Sequence, residues 1–101
     1  MLLPTEVRKP WWVYIIETEN RRLYTGISTD VDRRLRDHLS GKGARCLRGA
    51  SQLTLMWQVE LGSHSEALRV ERRIKSLSAR AKRELMATAT GRDDLLSSVD
   101  A

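Results

Sequence analysis

Tyr14 and Tyr24, the pair Arg34 and His38 four residues apart, and the acid Glu71 are the residues of this 101-residue chain whose types and spacing could do chemistry. A planar, permanently charged guanidinium suits phosphate oxygens. A single carboxylate such as Glu71 can hold one Mg²⁺ or Mn²⁺ and leave most of the coordination shell to water and phosphate. Phosphodiester hydrolysis needs those functions plus an activated water and a stabilised departing oxygen. Tyrosine is a poor base at its free pKa near ~10, but a neighbouring cation and a bound metal lower it. Tyr24 is therefore expected as general base, with Tyr14 and His38 positioning the water or sharing its proton.

Hydrophobic periodicity predicts the elements that position these groups. Trp11 to Thr18 reads as a strand with Trp12, Tyr14 and Ile16 on one face and Val13 and Ile15 on the other. Glu19 to Arg22 supplies a turn into a second strand, Leu23 to Ser28, where Tyr24 and Gly26 share a face. Pairing position 14 with position 24 would set the two tyrosines side by side. Thr29-Asp30-Val31-Asp32 starts a helix whose apolar stripe is Val31, Leu35 and Leu39, with Arg34 and His38 beside it. Lys42 to Ala50 is a mobile basic loop with few apolar anchors. Leu53 to Leu61 alternates cleanly and should half-bury itself as a third strand, Trp57 facing inward. Ser63-His64-Ser65-Glu66 has capping-box spacing before a helix with the stripe Ala67, Val70, Ile74 and Leu77. A last basic helix runs from about Ser78 to Met86. The order ββαβαα makes an α/β (α+β) fold, a small three-stranded, mainly antiparallel sheet flanked by helices.

Each candidate also has a plainer reading. The strand pattern alone favours Tyr14 and Tyr24 as a cross-strand aromatic pair filling one face. Arg34 and His38 fit the wet flank of an amphipathic helix. Glu71 could pair with Lys75 at i, i+4, worth only about 0.2–0.5 kcal/mol, yet it sits on the margin of an apolar stripe, where an acid gains little without a role.

Thirteen of the 18 basic residues lie between Arg33 and Arg83 against only four acids, a local charge of +9 in a chain of net +5. That is the signature of a polyanion-binding surface. One cysteine, Cys46, and two histidines exclude an internal disulfide and a Cys/His zinc site. The longest apolar run, Trp11 to Ile16, is far short of a membrane span. With no basic start and long apolar stretch at the N-terminus, a cytoplasmic location is expected. Ser40-Gly41-Lys42-Gly43 lacks the Ser/Thr and the preceding strand of a phosphate loop, so no nucleotide cofactor is expected.

Read in order, Val13-Tyr14, Tyr24-Thr25-Gly26, Arg34 and His38 ten and fourteen residues after Tyr24, and Glu71 resemble the GIY-YIG nuclease family, in its small stand-alone branch. Trp12 replaces the first motif's glycine, Thr25 the second motif's isoleucine, and Ile27 stands where some members place a lysine. The resemblance implies a GIY-YIG endonuclease-like fold, Gly26 as a structural residue at the site, and Glu71 as the metal ligand. It also implies an enzyme that hydrolyses DNA phosphodiester bonds with low sequence specificity, structure-selective, in DNA repair or processing. The alternative is a non-catalytic nucleic-acid-binding module of the same fold. Arg33, Lys42, Arg45 and Arg48, with Arg72, Lys75 and Lys82, are the expected DNA contacts. Residues 11–86 are expected as the nuclease domain, 1–10 as an N-terminal extension and 87–101 as a flexible acidic tail, in a monomer or weak dimer.

Overall fold

The computed structural model describes residues 9–89 and 91–100. Residues 1–8 of the expected extension lie outside them. The elements are β1 (Trp11–Thr18), β2 (Leu23–Ser28), α1 (Val31–Leu39), a 3₁₀ turn (Arg45–Leu47), β3 (Leu53–Gly62), α2 (His64–Lys75), α3 (Ala79–Thr88) and α4 (Arg92–Asp100). The strands form one antiparallel sheet in the order β2-β1-β3. β1 is central because its sequence is apolar on both faces, and Val13 through Ile16 are all buried. Val13 and Ile15 pack with Val59, Leu61, Ala67, Val70 and Ile74 beneath α2. Tyr14 and Ile16 pack on the other side with Val31 of α1 and Leu47 of the 3₁₀ turn.

The hairpin register differs from the expected one. Tyr14 pairs with Gly26 and Ile16 with Tyr24. The slip is two residues, so both tyrosines keep the same face. β3 departs from simple alternation as well. Ile15 pairs with Trp57 and Ile16 with Leu55, leaving Met56 as an extra residue. Such a bulge reverses the sides of the strand, so Leu53 and Leu55 join Ile16 while Trp57, Val59 and Leu61 join Val13 and Ile15. One apolar alternation thus serves both faces of the sheet.

Local signals in the sequence place the helix starts. Asp30 Oδ1 accepts from the Arg33 N–H at 3.1 Å, Ser63 and Glu66 form a reciprocal capping box, and Ser78 Oγ accepts from the Ala81 N–H at 3.1 Å. In α1 the buried stripe is Val31 and His38, with Leu39 exposed at 52%. The expected Val31–Leu35–Leu39 stripe is therefore rotated toward the histidine.

The expected acidic tail is instead folded onto the core. Ala89 and Leu95 are buried among Val59, Leu61 and Ile74, the Trp57 indole N–H donates to the Ala89 carbonyl at 2.8 Å, and Arg92 pairs with Glu66. The folded unit therefore continues past the expected boundary at 86. The basic loop is anchored too. Leu47 is buried, and Glu19 Oε2 accepts from the backbone N–H groups of Ser51 at 2.6 Å and Gln52 at 3.0 Å. Arg83 ties α3 to the hairpin through Glu17 at 2.7 Å and the Arg21 carbonyl at 3.2 Å.

Candidate active site

Tyr14 reaches its place on the central strand because Gly26 stands opposite it. A Cβ at Gly26 would collide with the phenol, meeting Cζ at 2.6 Å. The close packing of β1 against β2 at this point requires glycine. The Tyr14 ring is 1% exposed, and its hydroxyl lies 2.9 Å from His38 Nε2.

The backbone fixes the direction of that hydrogen bond. The Ala44 N–H donates to His38 Nδ1 at 3.1 Å, so Nδ1 is an acceptor and the ring proton sits on Nε2. His38 therefore donates to the Tyr14 oxygen. Burial, with the nearby Arg34 charge, holds the imidazole below its ordinary pKa of 6.5 and keeps it neutral. Gly43 makes this possible, because a Cβ there would be driven into the imidazole, 2.8 Å from Cε1. The sequence reading treats Gly43 and Ala44 only as loop residues. The missed signal is the glycine that ends Ser40-Gly41-Lys42-Gly43 five residues after His38, and its reason is contact, not backbone angle.

Burial, then the neighbouring Tyr24, raises the Tyr14 pKa to about 12, although the nearby Arg34 charge draws it down. Tyr14 is a fixed, protonated phenol. A tyrosine oxygen can accept two hydrogen bonds and donate one. With His38 donating, the phenol keeps its own proton.

Tyr24 is half-buried, its ring 6.4 Å from that of Tyr14 and edge-on to His38 at 5.3 Å. Burial raises its pKa, while Lys75 and Arg34 pull it down. α2 packs against the edge strand β2, which brings Glu71 within electrostatic reach of both tyrosines. The Glu71 side chain is 18% exposed and pairs with Lys75 at 3.4 Å. Among the described residues no three His, Cys, Asp or Glu side chains cluster to hold a metal. A single, partly sheltered carboxylate paired only with an exposed lysine among the described residues, and within electrostatic reach of two phenols, fits a hard cation that keeps most of its shell for water and phosphate.

Tyr14, Tyr24, Arg34 and His38 thus gather on the α1 face of the sheet, and Glu71 comes within electrostatic reach of them from α2, on the opposite face, at the β2 edge. Of the expected DNA contacts, Arg33, Lys42, Arg45, Arg48, Arg72 and Lys75 are exposed and Lys82 is half-buried.

The family model of the GIY-YIG catalytic domain matches residues 10–84. The chain belongs to the GIY-YIG family. It is 51% identical over 90 residues to the UPF0213 protein YhbQ of Shigella dysenteriae serotype 1, covering 89% of this chain and 90% of that one. Identity to the UPF0213 protein YhbQ of Escherichia coli is 50% over the same shares. The solution NMR structure of the UPF0213 protein BH0048 from Bacillus halodurans is 39% identical, covers 86% of this chain and 93% of that one, and superposes with a TM-score of 0.53. The fold is that of this small GIY-YIG branch. Among the described residues no helix is long and apolar enough to cross a membrane.

Proposed function

We propose that this GIY-YIG protein is a metal-dependent endonuclease that hydrolyses DNA phosphodiester bonds with low sequence specificity, selecting by strand structure, in DNA repair or processing. The observation that supports it best is the Ala44–His38–Tyr14 hydrogen-bond chain, which fixes His38 and Tyr14 beside Tyr24. Arg34 would hold a nonbridging oxygen of the scissile phosphate and meet the charge that develops there. Tyr14, kept protonated and immobile, would orient the attacking water by donating to it. Tyr24, the more exposed phenol, would take the water's proton through its phenolate form, which the Lys75 and Arg34 charges favour. Glu71 would hold a single Mg²⁺ or Mn²⁺. When bound, that ion would supply charge neutralisation at the phosphoryl and leaving oxygens.

The test is incubation of wild type, Glu71→Ala and Tyr24→Phe with plasmid, single-stranded and branched DNA in Mg²⁺ or Mn²⁺. Metal-dependent cleavage lost in both variants is expected. Cleavage that survives both substitutions overturns the assignment. Steeply salt-sensitive binding without product or metal dependence would favour the non-catalytic binding module instead.

A further inference from the structure

We propose that the outer face of α2 is a second nucleic-acid contact, a groove formed by Arg69, Arg72, Arg73 and Ser76 that takes the phosphates flanking the cleaved bond. This rests on the nuclease reading of the site beside it and names where the strand runs after leaving that site. The groove has a volume of about 350 Å³ and opens to solvent.

Its position follows from helix geometry. Ala67, Val70 and Ile74 are buried beneath α2, and Glu71 lies on the margin of that stripe. Each residue advances about 100° around the axis. Arg72 and Ser76 therefore follow Glu71 around the helix, and Arg69 and Arg73 lie farther on the same exposed side. The groove begins one residue from the proposed metal ligand, within a helix diameter of about 10 Å. A strand whose phosphate sits between Arg34 and Glu71 would continue around α2 to reach it.

The charge pattern is the second observation. Lys75 faces Glu71 and Arg80 faces Glu84 at i, i+4, and Arg83 is held by Glu17. Arg72 and Arg73 have no ion pair among the described residues. The positions four residues to either side of them, where an acid would neutralise them, hold Leu68 and Ser76, and Arg69 and Leu77. Two adjacent unpaired guanidiniums one turn from a third arginine suit a run of phosphates more than one small anion. The exposed cations include Arg33, Arg36, Lys42, Arg45 and Arg48 on α1 and its loop and Arg72 and Arg73 on α2, the two elements that carry Arg34 and Glu71, so a strand held by both groups would be gripped on either side of the bond to be cut.

Binding tests this independently of cleavage. The affinity of wild type, R72A/R73A, R72K/R73K and R80A for a fluorescent single-stranded oligonucleotide would be measured across a salt series without divalent metal. Loss of two phosphate contacts should shrink the slope of log Kd against log salt by about 1.4, at about 0.7 per contact on a single strand. The lysine pair should keep the wild-type slope, and R80A should change it far less than R72A/R73A. An unchanged slope in R72A/R73A overturns the proposal whatever the enzyme cleaves. So does a reduction matched by R80A, or a poly-glutamate peptide that displaces the oligonucleotide at equal charge. A protein that shows the predicted slopes but never cuts DNA would sink the nuclease reading and leave this contact standing.

Discussion

Tyr14 and Tyr24 are the same residue type on the same face of one sheet, and their surroundings divide the work between them. Tyr14 is sealed under Gly26 and receives His38, and burial keeps its phenol protonated. In the proposed mechanism Tyr24 is the base. Because its phenol is held above the ordinary 10.0, only a small phenolate fraction exists at neutral pH. Cleavage should therefore rise with pH, by about tenfold per unit below the pKa. Tyr24→Phe should remove that dependence along with nearly all activity, whereas a flat profile in wild type would exclude Tyr24 as base. His38 titrates with the opposite consequence for the fold. Its folded pKa lies below the 6.5 of the free group, so its contribution is complete above about pH 6.5 and is lost as pH falls through the folded value. Protonation puts a second N–H against the Ala44 N–H. Urea midpoints at about pH 7.5 and about pH 5 should fall further apart for wild type than for His38→Gln. Gly43→Ala tests the same contact from the other side. The new methyl displaces the imidazole, and cleavage should drop by about a hundredfold with oligonucleotide binding retained.

The helix carrying Leu95 shows where element-scale reading of a sequence stops. Leu95→Ala should destabilise the protein by about 2–4 kcal/mol in urea unfolding, a loss that a frayed tail would not produce. Two leucines between Asp93, Asp94 and a pair of serines are too short a pattern to reveal an amphipathic helix, and its docking depends on Trp57 and Glu66, far away in the chain. Helix caps were legible because they are local: Asp30, Ser63 and Ser78 mark helix starts by their own hydrogen bonds. The hairpin register and the Met56 bulge were not, since each is a displacement of one or two residues that leaves the apolar pattern readable. His38 was legible as a site residue through its spacing from Tyr24 and Arg34, but its burial in place of Leu39 was not, because a histidine on an apolar face is distinguished only by the partner it finds. Thr25 is a related case. Its hydroxyl is buried without a partner among the described residues, at the position opposite Ile15. Thr25→Val should stabilise the fold by about 1 kcal/mol.

Across the whole molecule, the local charge of +9 between Arg33 and Arg83 resolves into cations committed to the fold and cations that face solvent. Arg83, Arg80 and Lys75 are paired with acids, while Arg33, Lys42, Arg45, Arg48, Arg72 and Arg73 are exposed on α1, its loop and α2. A surface of this kind grips backbone more than sequence. The nuclease assignment itself stands or falls on Glu71. The most direct measurement is the nicking rate of supercoiled plasmid by wild type and by folded Glu71→Ala, each with Mg²⁺ and with chelator. Nicking by wild type in Mg²⁺ that falls by about a hundredfold or more both in the variant and with chelator is the predicted result. Equal rates for wild type and variant, or a wild-type rate indifferent to the chelator, would contradict it.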